Sequence, residues 1–171
     1  MKQLYLIGFM GSGKSTVGQY TSEKLNVEYV DLDMEIERIQ RKKIVDIFRE
    51  EGEETFRTYE TETLKAVWDK VLVATGGGVV EREENIRYMK EKGKLIYLKT
   101  SFTVIQKRLR RDHSRPLWKD TNQNEALFNK RTTLYEQVAD YVIICDDKSL
   151  DEIVEEIVNI YTYNGFLSCE E

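Results

Sequence analysis

The stretch Gly8-Phe9-Met10-Gly11-Ser12-Gly13-Lys14-Ser15 constrains this chain more than any other feature, because it meets the pattern G-x-x-x-x-G-K-[ST] at every fixed position. It follows the strand-like run Leu4-Tyr5-Leu6-Ile7 and precedes a helical pattern. Glycines let the backbone curl so that successive N–H groups point inward at phosphate oxygens, and a helix starting there adds the positive end of its dipole. In such a cradle Lys14 brings a full charge to the β/γ-phosphates and Ser15 offers its hydroxyl to Mg²⁺. The glycines run G-x-x-G-x-G, which excludes the dinucleotide fingerprint G-x-G-x-x-G. The chain is therefore expected to bind a nucleoside triphosphate.

At 171 residues the chain suits one domain spanning residues 1–171 with a single well-buried core. Its net charge of −5 disfavours a duplex nucleic acid partner, whose binding rests on neutralising many phosphates. Cys145 and Cys169 form neither a disulfide framework nor a metal-ligand spacing, which fits a reducing, cytoplasmic setting. The N-terminal apolar run is cut short by Gly8 and the polar 11–15 segment, with no small-residue cleavage pattern. No apolar stretch approaches the roughly 20 residues that span a bilayer, so the expectation is a soluble protein without a membrane anchor.

Apolar, β-branched runs alternate with helical patterns. The strand candidates are Leu4–Ile7, Tyr29-Val30, Val71–Ala74, Leu95–Leu98 and Tyr141–Ile144. Strands of this kind, hydrophobic on both faces, belong in a parallel sheet covered by helices on each side, and the class is α/β. Helices are expected at Thr16–Leu25, Glu35–Arg41, Val45–Lys70 with a break near Gly52, Glu83–Lys92 stopped by Gly93, Ser101–Arg111 and Glu125–Val138. A further helix opens on Ser149-Leu150-Asp151-Glu152, a capping box followed by Ile153, Val154, Ile157, Val158 and Tyr161 at helical spacing. In such sheets ligands collect at the carboxyl ends of the strands, which is where each candidate motif falls.

Asp31-Leu32-Asp33 follows the second strand candidate, and an i, i+2 spacing on extended chain puts both carboxylates on one side. The plainer alternative makes Asp33 a helix N-cap and Asp31 a surface residue. Beside a phosphate loop, this is where Mg²⁺ and an attacking hydroxyl must meet. Gly76-Gly77-Gly78 follows the third strand; three glycines in a row cost folding entropy that a plain turn does not require, so close backbone approach to a ligand is expected. Arg57 with Glu60 reads, taken alone, as an i, i+3 surface pair, and Arg131 is equally ambiguous. The segment from Lys107 to Trp118 gathers five positive charges by Arg115 and suits a mobile cover over triphosphate, since a forked, permanently charged guanidinium stabilises a transferring phosphoryl group.

Taken together, Gly8–Thr16, Asp31-Leu32-Asp33, Phe56-Arg57-Thr58-Tyr59-Glu60, Gly76-Gly77-Gly78, Arg115-Pro116-Leu117 and Arg131-Thr132-Thr133-Leu134-Tyr135 resemble the shikimate kinase family in order and spacing, over roughly residues 1–160. The resemblance implies a three-layer P-loop kinase fold of the nucleoside monophosphate kinase type. It implies a five-stranded parallel sheet in order 2-3-1-4-5, a substrate-binding helical region about 33–60, a lid about 111–123, and a monomer. It implies transfer of the γ-phosphoryl group of ATP to the 3-hydroxyl of shikimate, on the route to aromatic amino acids. On this resemblance Gly11, Ser12, Gly13, Lys14, Ser15 and Thr16 hold ATP, with Arg108, Arg115 and Lys148 around it. Ser15 ligates Mg²⁺ and Asp31 supports it through water; Asp33 binds the 3-hydroxyl and orients it or takes its proton. Arg57 and Arg131 grip the carboxylate, Gly76, Gly77 and Gly78 approach the ring, and Lys14, Asp33 and Arg115 carry the chemistry. Ser12, where alanine is common, is a mild departure. The nearest rival, a gluconate kinase, also suits two arginines, but the Asp-x-Asp element and the triple glycine favour shikimate. A nucleotide-dependent switch is a rival of another class, although the guanine-reading N-K-x-D element is absent from the sequence.

Overall fold

Successive residues of a strand point to opposite faces, and β1 (Gln3–Ile7) shows what that demands when both faces are covered. All five of its residues are buried; Tyr5 and Ile7 enter one hydrophobic cluster while Leu4 and Leu6 enter another. The structure is a computed structural model and describes residues 3–68, 71–110 and 120–164. Five strands, β1, β2 (Glu28–Asp31), β3 (Val71–Ala74), β4 (Gly93–Lys99) and β5 (Tyr141–Ile144), form one parallel sheet in the order β2-β3-β1-β4-β5. This is the order expected above.

Eight helices are described: α1 (Lys14–Leu25), α2 (Leu32–Gln40), α3 (Ile44–Glu50), α4 (Glu53–Ala66), α5 (Glu83–Lys92), α6 (Phe102–Leu109), α7 (Thr121–Val138) and α8 (Leu150–Tyr163). Leu64 of α4, Met89 of α5, Ile105 of α6 and Tyr135 of α7 close one face of the sheet. Val17 of α1 and Ile153, Ile157 and Tyr161 of α8 close the other, giving three layers. A third, smaller cluster of Ile36, Ile47 and Phe56 ties α2, α3 and α4 to one another. These three helices form a small flap that α4 also joins to the sheet through Leu64. Among the described residues, no helix is long and apolar enough to cross a membrane.

Several boundaries differ from the sequence reading. Strand β2 runs from Glu28 to Asp31 rather than covering two residues, because pairing with β3 recruits the polar ends. Helix α2 begins at Leu32, three residues before the expected Glu35, and its N-cap is Asp31, whose Oδ1 accepts from Met34 N at 3.2 Å. Asp33 is therefore neither the cap nor part of an extended pair; it sits in the first helical turn. The break expected near Gly52 is present, with φ of 88° there between the two helices, but the first begins at Ile44 and the second ends at Ala66 rather than Lys70. Helix α7 starts at Thr121 rather than Glu125, capped by Asp120, which accepts from the N–H groups of Asn122 and Gln123.

The capping box of α8 forms as read: Ser149 Oγ accepts from Glu152 N at 3.2 Å, and Glu152 Oε2 accepts from Ser149 N at 2.7 Å. Replacing Ser149 by Ala should lower the urea-unfolding free energy by about 1 kcal/mol. A midpoint unchanged at unchanged slope would show that water replaces the cap at no cost.

Candidate active site

The loop between β1 and α1 is shaped by glycines. Gly8, Gly11 and Gly13 have φ values of 151°, 78° and 95°, where a side chain is strained, and Gly13 is the N-cap of α1. Lys14 folds back over this loop, and its ammonium donates to the carbonyls of Gly8 (2.7 Å) and Phe9 (3.0 Å). Arg108, at the end of α6, donates to Gly11 O at 3.0 Å, which places it on the loop. Lys148, paired with Glu156, lines the same cavity of about 430 Å³, together with residues Gly11 to Thr16. Arg115 and the expected lid residues 111–119 lie outside the described residues; residues 121–123 of that expected lid form the first turn of α7.

Ser15 and Asp31 meet across the loop, with Ser15 Oγ donating to Asp31 Oδ2 at 2.5 Å. Tyr29, two residues before Asp31 on β2, donates to Ser15 O at 3.1 Å and lies 3.5 Å from Asp31 Oδ2. Burial, and next the nearby Asp31 carboxylate, push the Tyr29 phenol above its ordinary range, so it stays a protonated donor. The sequence reading passed over Tyr29, although its i, i+2 relation to Asp31 was a usable signal.

A second cavity of about 560 Å³ adjoins the first. Its walls combine apolar side chains of the flap, Ile44, Phe48 and Phe56 among them, with Arg57, Glu60 and Arg131. Met10, Ser15, Asp31, Asp33 and Gly77 line both cavities, so the Asp33 side chain stands at their junction. The two arginines are not solvated surface groups. Arg57 is 7% exposed and Arg131 1%, so the plain readings of both are overturned. Arg57 donates to Glu60 Oε1 at 2.9 Å, and this pair is buried rather than on a helix surface. Burial drives the Glu60 carboxyl above the usual carboxylate range against the opposing pull of Arg57.

Arg131, from α7, donates to Glu81 Oε2 at 2.9 Å, and Arg57 Nη2 lies 3.9 Å from the same oxygen. Lys130 donates to Glu81 Oε1 at 2.7 Å. Tyr135, one helical turn beyond Arg131 and fully buried, donates to Gly77 O. No spacing in the sequence links Glu81 to Arg131, and the reading above missed it.

The glycine triplet has a physical reason besides the close ligand approach expected. None of the three takes a positive φ. Gly76 and Gly78 leave room for charged side chains of the site, and Gly77 for the phosphate-loop backbone at Met10 N, 3.3 Å from where its Cβ would be. A Cβ on Gly76 would lie 2.6 Å from Glu60 Oε2 and 2.9 Å from Asp33 Oδ1; one on Gly77 would lie 3.4 Å from Arg131 Nη1; one on Gly78 would overlap the Arg57 guanidinium. The triplet is thus the floor on which the acidic and basic groups of the second cavity rest.

The arrangement sets a phosphate-binding loop against a chamber holding two guanidiniums, with the Asp31 and Asp33 carboxylates between them. Comparison with known proteins agrees. The family model described as shikimate kinase matches residues 10–162. The shikimate kinase of Dictyoglomus turgidum is 46% identical over 164 residues, 91% of this chain and 94% of that one. That of Bacillus cereus is 43% identical over 160 residues, 92% and 96% of the two chains. Among solved structures, the shikimate kinase of Acinetobacter baumannii in complex with shikimate superposes with a TM-score of 0.91 at 34% identity, covering 96% of this chain and 94% of that chain.

Proposed function

The chain belongs to the shikimate kinase family and catalyses the ATP-dependent phosphorylation of shikimate, and on that premise we propose how its own residues carry out the transfer. The observation that carries the reading is the position of Asp33, which lines both the phosphate-loop cavity and the chamber of the two arginines. Backbone N–H groups of 11–16 and the Lys14 ammonium hold the triphosphate. Arg108 and Lys148 lie beside it, and Arg115 completes the charge around the transferring group.

Arg57 and Arg131 bind the carboxylate of shikimate through charge-assisted, forked hydrogen bonds, and Phe48 and Phe56 cover the apolar part of the ring. The 3-hydroxyl then points at Asp33. Asp33 orients that hydroxyl and accepts its proton as the oxygen bonds to the γ-phosphorus, while the bond to the β-phosphate oxygen breaks and ADP leaves. Ser15 Oγ and the Asp31 carboxylate, adjacent and all oxygen, suit a hard dication such as Mg²⁺. When bound there, the ion neutralises charge on the β- and γ-phosphates. Tyr29 fixes the Asp31 carboxylate and the Ser15 main chain in place. The reading includes a monomeric enzyme working in the cytoplasm.

A coupled assay for ADP release with and without shikimate tests the reading; ADP formed at the same rate in both, or faster with gluconate, would reject it. Arg131→Gln should raise the shikimate Kd about 10–100-fold and leave ATP binding within about twofold, since each charge-assisted hydrogen bond contributes about 1.5–3 kcal/mol. Calorimetric titration of each ligand separates the two effects.

A further inference from the structure

Glu81 ends the 3₁₀ turn Val79–Glu81, directly after the glycine triplet, and its Oε2 faces both guanidiniums at once. It lines neither cavity, so it meets the arginines from outside the chamber. Around the pair, three cations (Arg57, Arg131, Lys130) are matched by three carboxylates (Glu53, Glu60, Glu81) within ion-pair distance. Two nearly inaccessible guanidiniums require such an answer, because a buried charge without a partner is strongly unfavourable. The result is a clamp whose charge is already partly offset before a substrate carboxylate reaches it.

Lys130 stands in a different position from the arginines. Its side chain is 65% exposed, and it holds the outer oxygen of Glu81. Burial works to raise the Glu81 carboxyl, but Lys130 and Arg131 outweigh it and hold it below the ordinary carboxylate range. Glu81 is therefore ionised at neutral pH, and its negative charge is shared between an exposed lysine and the buried arginine pair.

We propose that Glu81 is a positioning residue that attenuates the grip of Arg57 and Arg131 on the carboxylate of the ring acid, and that Lys130 sets how much of that negative charge the arginines feel. The inference rests on the reading that these two arginines hold the carboxylate. Its physical content is a sign. A like charge close behind the binding groups weakens an incoming anion, so removing that charge must tighten binding. Because the phosphorylated product keeps the same carboxylate, the attenuation also lets product leave; tighter binding of both would lower KM without raising kcat.

The test uses Glu81→Gln, which keeps an oxygen to accept from Arg131 while removing the charge, and Lys130→Gln, which leaves the Glu81 charge wholly on the arginines. Shikimate and its neutral methyl ester are titrated calorimetrically at one ionic strength into wild type, both variants and Arg131→Gln. Glu81→Gln should bind shikimate roughly 5–10-fold more tightly, and Lys130→Gln about 2–3-fold more weakly, the smaller effect reflecting solvent screening of an exposed pair. The ester should respond less than about twofold to either change, because it lacks the charge on which Glu81 acts. A damaged fold does not yield tighter binding of one ligand alone. If Glu81→Gln binds shikimate no better than wild type, or Lys130→Gln binds it no worse, while Arg131→Gln loses it, the attenuation is wrong and the clamp stands. If Arg131→Gln leaves shikimate binding unchanged, the clamp itself is wrong and the attenuation falls with it.

Discussion

Asp33→Asn should turn over shikimate at least about 100-fold more slowly than the wild type, the range for loss of an acid–base or orienting group, while its ATP Kd stays within about twofold. Asparagine keeps the size of the side chain and one acceptor oxygen, but cannot take a proton. The substitution leaves the helix cap in place, because the capping role belongs to Asp31, whose bond to Met34 N is untouched. The close fit of Asp33 beside Gly76 is also preserved, since the amide occupies the same volume. Single-turnover kinetics with ATP and shikimate, together with ATP titration, read both quantities. Equal loss of ATP binding would place Asp33 in the metal site or the scaffold, and a loss of turnover below about tenfold would remove it from the transfer step.

Lys14→Met should lower kcat/KM by roughly 10²–10³-fold, as removal of one preorganised charge at a transferring group does elsewhere. The ammonium is held by two carbonyls of its own loop, so it is in place before the triphosphate arrives and little reorganisation accompanies transfer. Methionine fits the buried channel and suits the first turn of α1. The carbonyls of Gly8 and Phe9 lose a donor, which costs about 1–3 kcal/mol of stability. Urea unfolding measures that cost apart from the kinetics. A variant that is destabilised by this amount yet retains more than about a tenth of its kcat/KM would show that the loop N–H groups suffice without the lysine.

β1, β3 and β4 were legible because their apolar runs lie inside the sheet, and β5 because its run is apolar throughout, although it is an edge strand that exposes Val142 and Ile144. Strand β2 was legible only at its centre, Tyr29-Val30, since it begins and ends on the polar Glu28 and Asp31. The start of α2 was hidden by two aspartates equally suited to cap a helix; the pairing of Asp31 with Ala74 decides between them. The start of α7 was hidden because Thr121 to Glu125 holds no apolar residue from which to read a period. In the site, the phosphate loop and Asp33 carry local signatures. Arg57 and Arg131 do not: each looks like a surface charge until the fold buries it. Glu81 and Arg131 are 50 residues apart and meet only because a turn after β3 and helix α7 pack together, which no local pattern encodes.

The wall shared by the two chambers has a use for chemistry beyond the natural substrates. A nucleotide and a ring acid joined through a short tether at the Asp33 junction would dock as one bisubstrate inhibitor. Once the first half is seated, the second would find its chamber at an effective concentration on the order of millimolar without new contacts. The tether must be short, since the compartments adjoin, with Met10, Ser15, Asp31, Asp33 and Gly77 lining both.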